Sequence, residues 1–203
     1  MKQRLMTSIS RTNAEQRHRR ELRNVLIARR QALTPAQRLA ADAAIAARVD
    51  TLLADHVPAV LAVYWPIRGE PELRDAWLRW RAAGWTLALP RVSEADRTLE
   101  FGRWIPGGAL RVDRFEIPVP EPFEPLLPDH VLAPCVGFDM RCYRLGYGGG
   151  FYDRTHVKLP QARFIGVSYD FCEIDCFDNQ AHDRPMQAIV TESRTLLSPV
   201  RLR

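Results

Sequence analysis

The run Ala59 to Pro66, AVLAVYWP, is uninterrupted apolar sequence of the length of a buried strand, and it divides the chain into two differently patterned parts. Before it the spacing is helical. Thr12-Asn13-Ala14-Glu15 has the form of a capping box, in which the Thr side chain satisfies an orphan amide while the Glu reaches back to the cap, so a helix to about Leu33 should follow. A second box, Thr34-Pro35-Ala36-Gln37, has Pro at the first helical position and opens an Ala-rich helix to about Ala54. After the apolar run, Glu70 to Ala83 has helical spacing ended by Gly84, and Trp85 to Leu89 reads as the next strand. Further strands are expected at Leu99 to Trp104, His130 to Val136, Arg163 to Ser168 and Gln187 to Thr191. The stretch Ile105 to Pro128, rich in Pro and Gly, reads as an extended surface excursion.

Strand, helix, strand is the order that a parallel sheet with crossover helices requires, so the pattern predicts an α/β fold with an N-terminal helical hairpin. A length of 203 residues suits one core, with a single catalytic domain over residues 13–203 and a poorly ordered start over residues 1–12. No apolar run reaches the length of a membrane span, and a secretory signal is not evident, so a soluble, cytoplasmic monomer is expected.

Charge and cysteine content change this picture little. The net charge is +5, but residues 1–30 hold nine Lys/Arg against two Glu, leaving −2 for the rest of the chain. On the first helix Arg19, Arg23 and Arg30 fall within about 40° of one another at 100° per residue. They lie beside the apolar stripe Leu22, Val25, Leu26. Such an edge can fork onto phosphate oxygens, or it can be solvated or salt-bridged. Cys135, Cys142, Cys172 and Cys176 lack the spacing of a disulfide framework or a zinc site and read as reduced thiols.

The densest chemistry lies in Arg144-Leu145-Gly146-Tyr147-Gly148-Gly149-Gly150-Phe151-Tyr152-Asp153-Arg154. It follows a strand and leads into a helix, so its glycine amides can converge on an anion at the helix N-terminus. It matches neither the Walker A pattern nor the dinucleotide fingerprint, because Phe151 stands where the third Gly belongs. A flexible turn would account for the glycines but not for Arg144 and Asp153. Within the loop, Gly149 is expected to need positive φ and close backbone approach. Asp153 and Asp183 are the candidates for holding magnesium, which takes one or two carboxylates together with water and phosphate oxygens. His182 can be a ligand, a base or a hydrogen-bonded structural residue. Trp65 and Glu70 bracket the end of the first strand, where open α/β sheets bind ligands, although Glu70 could instead serve the dipole of the helix that follows.

Taken together, RRELRNVLIARRQAL, VYWPIRGEPEL, LPRV, LAPCVGFD, RLGYGGGFYDR and AHDRPMQAIVTES resemble the 5-formyltetrahydrofolate cyclo-ligase family over nearly the whole chain after about residue 15. The resemblance implies a three-layer α/β/α fold and a mostly parallel central sheet. It implies ATP-dependent conversion of 5-formyltetrahydrofolate to 5,10-methenyltetrahydrofolate, with ADP and phosphate as products and magnesium as cofactor. By matched position, Arg19, Arg20, Glu21, Leu22 and Arg23 would contact ATP, as would Arg144, Leu145, Gly146, Tyr147, Gly148, Gly149, Gly150, Phe151 and Tyr152. Arg144 and Tyr152 would act in catalysis, Trp65 and Glu70 would line the folate pocket, and Asp153 and Asp183 would serve magnesium. Three departures stand out. Arg19 occupies a position often held by Lys, and Cys135 and Cys142 occupy positions where the family pattern has glycine, the second in the turn that precedes Arg144.

Overall fold

In the computed structural model, residues 2–175 and 183–199 are described, with side chains from residue 14 onward. Two helices open the chain, α1 (Lys2–Gln31) and α2 (Pro35–Ala54). The expected start at Thr12 is corrected by the structure: α1 is continuous from Lys2, so Thr12–Glu15 lies inside the helix rather than at its start. The expectation of a poorly ordered segment over 1–12 concerns side chains outside the described residues. The second capping box forms as expected. Thr34 Oγ1 accepts the Gln37 amide at 3.3 Å, Gln37 Oε1 accepts the Thr34 amide at 3.0 Å, and Pro35 occupies the first turn.

The strands and remaining helices follow in chain order: β1 (Val60–Ala62), α3 (Arg74–Ala82), β2 (Thr86–Val92) and β3 (Leu99–Arg103). Next come β4 (Leu110–Val112), β5 (Pro118–Pro120), β6 (Pro125–Leu126), β7 (His130–Pro134), β8 (Gly137–Phe138) and β9 (Arg144–Leu145). The chain continues through α4 (Phe151–Lys158), β10 (Arg163–Val167), β11 (Ala188–Val190) and β12 (Thr195–Leu197). Eight strands form one sheet in the order β12-β11-β10-β7-β1-β2-β3-β6. The five from β11 to β2 are parallel, and β12, β3 and β6 join antiparallel at the two sides. This is the expected α/β/α architecture with a mostly parallel central sheet. The parallel strands carry fully buried runs such as Leu87, Ala88 and Leu89, which is why their sequences do not alternate.

Other elements also differ from the sequence reading, among them the short strands β8 and β9. The segment 105–128 contains the β4–β5 hairpin and β6, because pairing with Phe101 and Gly102 satisfies backbone groups that an unpaired excursion would leave to water. Helix α3 begins at Arg74 rather than Glu70, since Pro71 interrupts the run and the carbonyl of Pro71 is taken by the Tyr64 hydroxyl at 2.8 Å. Strand β12 was absent from the expected set; a three-residue edge strand ending in the exposed Leu197 is too short to show an alternating pattern.

Two features of the core position the site. Trp77 of α3 is buried and meets Trp65 edge-on at 6.1 Å and Trp104 at 4.9 Å between ring centroids, which fixes the Trp65 indole. From β1 the chain turns to β2 on one side, whereas from β7 it goes to β10 and β11 on the other. The loops following β1 and β7 therefore diverge at a topological switch point, leaving a crevice beyond the carboxyl ends of these strands.

Candidate active site

Glycine conformations and arginine side chains together shape the loop after β9. Gly148 and Gly150 have φ of +95° and +66°, a region that L side chains avoid, and they let the backbone reverse twice before α4 begins at Phe151. Gly149 does not: its φ is not positive, and what limits substitution there is the Phe151 ring, which an added Cβ would meet at 2.6 Å. The expectation for Gly149 is thus transferred to its two neighbours.

Three arginines of α1 reach this loop or its surroundings from one helix edge, as their spacing requires. Arg23 donates from Nε to the Gly146 carbonyl at 2.7 Å and places its guanidinium 3.6 Å from where a Gly148 Cβ would stand. Arg19 pairs with Asp183 at 2.8 Å, both side chains being about nine-tenths buried. Arg30 is fully buried; it donates to the carbonyls of Cys135 at 3.1 Å and Arg68 at 3.3 Å and to the Tyr147 hydroxyl at 2.7 Å. The chain was thus brought together from the loops after β1 and β7 by one cation. Burial and the neighbouring Arg19 both lower the Arg23 pKa, with Asp183 acting in the opposite sense, so positive charge is crowded here in a way that a bound anion would relieve. Arg20 and Glu21, on the next faces of α1, are exposed and make no hydrogen bond to the loop among the described residues, while Leu22 packs against the core.

On the far side of the loop Arg144 is buried, pairs with Asp153 at 2.9 Å and lies 5.1 Å over the Tyr152 ring. Its Nε has no partner among the described residues. Asp153 stands in the first turn of α4, where a carboxylate also suits the positive end of the helix.

Glu70 lies across the crevice, only 3% exposed. Its Oε2 accepts the Ile67 amide and its Oε1 accepts the Tyr147 hydroxyl, both at 2.9 Å. The alternative role as a helix carboxylate falls away because α3 starts four residues later. Burial pushes the Glu70 carboxyl up to about 7, against the lowering influence of the Ile67 amide, the Tyr147 hydroxyl, Arg30 and Arg68. A raised acid favours folding fully below its unfolded value of 4.5 and loses that contribution as pH rises through about 7. The loss amounts to roughly 3 kcal/mol. Subtracting urea-denaturation stabilities of Glu70→Gln from those of the parent at each pH should therefore reveal this decline between pH 4.5 and 7. A flat difference would contradict the buried state of the carboxyl.

The two cysteines at expected glycine positions are structural. Cys142 has φ +63°, so the turn keeps the left-handed geometry that glycine favours. Asp139 holds it there by accepting the amides of Arg141 at 2.9 Å and Tyr143 at 3.1 Å. Cys135 is buried, and burial pushes its thiol up to about 12. Cys135, Cys142 and Cys172 are free thiols; Cys176 and His182 lie outside the described residues.

Comparison with known proteins gives the chain a family. Residues 15–192 match the sequence model of the 5-formyltetrahydrofolate cyclo-ligase family. The chain belongs to that family. It is 30% identical over 181 residues to the 5-formyltetrahydrofolate cyclo-ligase of Escherichia coli K12, a match that covers 82% of this chain and 96% of the relative. The Mycolicibacterium smegmatis 5-formyltetrahydrofolate cyclo-ligase is 30% identical over 154 residues, covering 68% and 76%. Among solved structures, the Aquifex aeolicus 5,10-methenyltetrahydrofolate synthetase superposes with a TM-score of 0.75 at 28% identity, covering 90% of this chain and 93% of that one. The Mycoplasma pneumoniae 5,10-methenyltetrahydrofolate synthetase shares the fold, with a TM-score of 0.72 at 24% identity and coverage of 86% and 99%. Within this cyclo-ligase fold, residues that the sequence reading left out of the site are Arg30 and Arg68. Arg30 shared the helix edge of Arg19 and Arg23, and that edge was the signal. Arg68 had none, since its carbonyl meets Arg30 and its guanidinium meets the Tyr147 ring only through contacts between distant segments. Among the described residues no group of three or more His, Cys, Asp or Glu side chains could hold a metal ion, and no helix is long and apolar enough to cross a membrane.

Proposed function

We propose that the chain closes 5-formyltetrahydrofolate to 5,10-methenyltetrahydrofolate with hydrolysis of ATP to ADP and phosphate. Family membership supports the cyclo-ligase activity; the observation that carries the use of ATP is that Arg23 and Arg144 border a positive-φ glycine loop at the switch point, with Arg19 close enough to Arg23 to perturb it. Cationic side chains beside a glycine backbone with no side chains to bar close approach suit a polyphosphate.

A formamide carbonyl is a weak electrophile because its nitrogen donates into it. In the proposed sequence the formyl oxygen attacks the γ-phosphorus, the bond to the β-phosphate oxygen breaks and ADP leaves. N10 then adds to the iminium carbon and loses its proton, and phosphate departs with the C–O electron pair as the methenyl bridge forms. No covalent nucleophile from the protein is needed. Arg23 and Arg144 neutralise charge on the phosphates, the glycine amides follow it as it shifts, and Trp65 and Glu70 hold the folate so that the formyl oxygen faces the phosphorus.

Magnesium requires less of the protein than a structural metal does, because phosphates and water complete its shell. Asp153 and Asp183 fit that demand as hard oxygen donors, and Asp153 Oδ1 accepts no hydrogen bond among the described residues. The ion would supply charge neutralisation on the phosphates. We place these carboxylates next to the nucleotide because each is paired with an arginine assigned to it.

The test is spectrophotometric: methenyl absorbance should appear from 5-formyltetrahydrofolate only when ATP and magnesium are both present. Folded protein that gives turnover without ATP, or none with it, would overturn the proposal. A narrower expectation concerns Arg23→Ala, which should raise the ATP KM at least tenfold and the folate KM less than twofold, a difference of about 1.4 kcal/mol or more in nucleotide binding. Equal effects on both would make Arg23 a scaffold residue for the Gly146 carbonyl.

A further inference from the structure

Tyr147 belongs by sequence to the phosphate loop, yet its side chain is committed elsewhere. About a third of the residue is exposed, while the hydroxyl accepts from Arg30 Nη2 at 2.7 Å and donates to Glu70 Oε1 at 2.9 Å. Arg30 is in turn immobile, since it is fully buried and donates to carbonyls in the loops after both β1 and β7. We infer that Tyr147 is a positioning residue for the folate side of the site, holding the Glu70 carboxylate in one orientation across the switch point. The inference rests on Glu70 lining the folate pocket.

The geometry is that of a preset acceptor. The Ile67 amide occupies one position on Oε2 and the Tyr147 hydroxyl one position on Oε1, so the carboxylate can neither rotate nor swing without breaking a hydrogen bond. Each oxygen retains acceptor capacity, and the two together suit a planar ligand edge presenting two N–H donors. A carboxylate so held needs no reordering on binding, and that saving appears as affinity for the folate. The phenol ring has a separate anchor, since the Arg68 guanidinium lies 5.5 Å from its centroid. Removing the hydroxyl alone therefore leaves the ring seated and the loop backbone undisturbed.

Tyr147→Phe isolates the hydroxyl. It should raise the KM for 5-formyltetrahydrofolate about tenfold, which corresponds to about 1.4 kcal/mol for a lost hydrogen bond to a charged group, and leave the ATP KM within about twofold. The groups acting on Glu70 are Arg30 from α1, Arg68 and Tyr64 from the β1 side, and Tyr147 and Tyr152 from the glycine loop and α4. Of these, Tyr147 lowers the Glu70 pKa by its hydrogen bond, so its removal should shift the acidic limb of kcat/KM for folate to higher pH. In a Glu70→Gln background the same substitution should change the folate KM less than about twofold, because residues that act through one another are not additive.

The failures are separable. If Glu70→Gln leaves the folate KM unchanged, the folate role of Glu70 falls and the inference with it. If Glu70→Gln raises that KM but Tyr147→Phe does not, or raises the ATP KM equally, the inference alone is overturned. A melt of Tyr147→Phe within a few degrees of the parent, and cooperative melts of both variants carrying Glu70→Gln, exclude misfolding as the cause.

Discussion

Gly148→Val should lower turnover by more than a hundredfold while the protein remains folded. At φ +95° the glycine adopts a conformation that a β-branched residue meets only with strain of about 1–3 kcal/mol. The loop can relieve this strain by moving to negative φ. That movement carries the Gly146 carbonyl away from Arg23 Nε, now 2.7 Å distant, and turns the following amides off the position where phosphate oxygens are proposed to lie. If the loop does not move, the valine methyls enter the space beside the Arg23 guanidinium, 3.6 Å from the Cβ position. Either outcome damages the cradle. Gly84→Val provides the matching control, because Gly84 has φ +97° but lies before β2, at the amino ends of the parallel strands, with Pro58 as its nearest neighbour. It should lose comparable stability and keep its turnover. Equal activity losses in the two variants, or retained activity in Gly148→Val, would show that the loop conformation has no part in the reaction.

Asp153→Asn should reduce kcat by more than tenfold at ordinary magnesium concentration, about 1.4 kcal/mol or more of transition-state stabilisation. The substitution keeps the shape of the side chain, and Asn Oδ1 can still accept from Arg144; no capping bond is at stake, since the N-cap of α4 is Gly150 and no side chain caps it. What it removes is charge. If the carboxylate holds magnesium against the phosphates, the apparent magnesium affinity should fall and excess magnesium should restore part of the rate. The competing explanation is built into the same geometry, since Asp153 already partners a buried Arg144 at 2.9 Å. Were that its whole role, the cost would be stability: leaving a buried cation without a countercharge costs roughly 3–5 kcal/mol in the worst case, less where Asn still accepts its hydrogen bond. Rate against magnesium concentration, measured beside a thermal melt, therefore separates the two. Superimposable magnesium curves with a lowered melting temperature would confine Asp153 to holding Arg144.

Local signals determined the parts of this protein that depend on neighbouring residues. The capping box at Thr34–Gln37 forms because its hydrogen bonds span only three residues, and α2 ends at Ala54 where its apolar periodicity ends. The buried runs Leu61–Ala62, Leu87–Leu89 and Val131–Pro134 lie in strands, as short apolar segments between turns do in a sheet covered on both faces. The ordered series of motifs from RRELRNVLIARRQAL to AHDRPMQAIVTES was sufficient to identify the family, and the Arg19, Arg23, Arg30 edge followed from helix geometry alone.

Contacts between distant residues were decided only by the tertiary structure. No local pattern says that Arg19 meets Asp183, 164 residues away, or that Tyr147 bridges Arg30 and Glu70 at separations of 117 and 77. Nor does it say that φ is positive at Gly148 and Gly150 but not Gly149, since glycine accepts either sign and the surrounding contacts select it. Capping at Thr12 failed for the related reason that a local propensity worth about 1 kcal/mol does not by itself stop a helix whose neighbours continue it. Sequence thus named the candidate residues; the switch point between β1 and β7 brought Arg30, Glu70 and Tyr147 together, because strand order in a parallel sheet is set by long-range pairing that no single segment encodes.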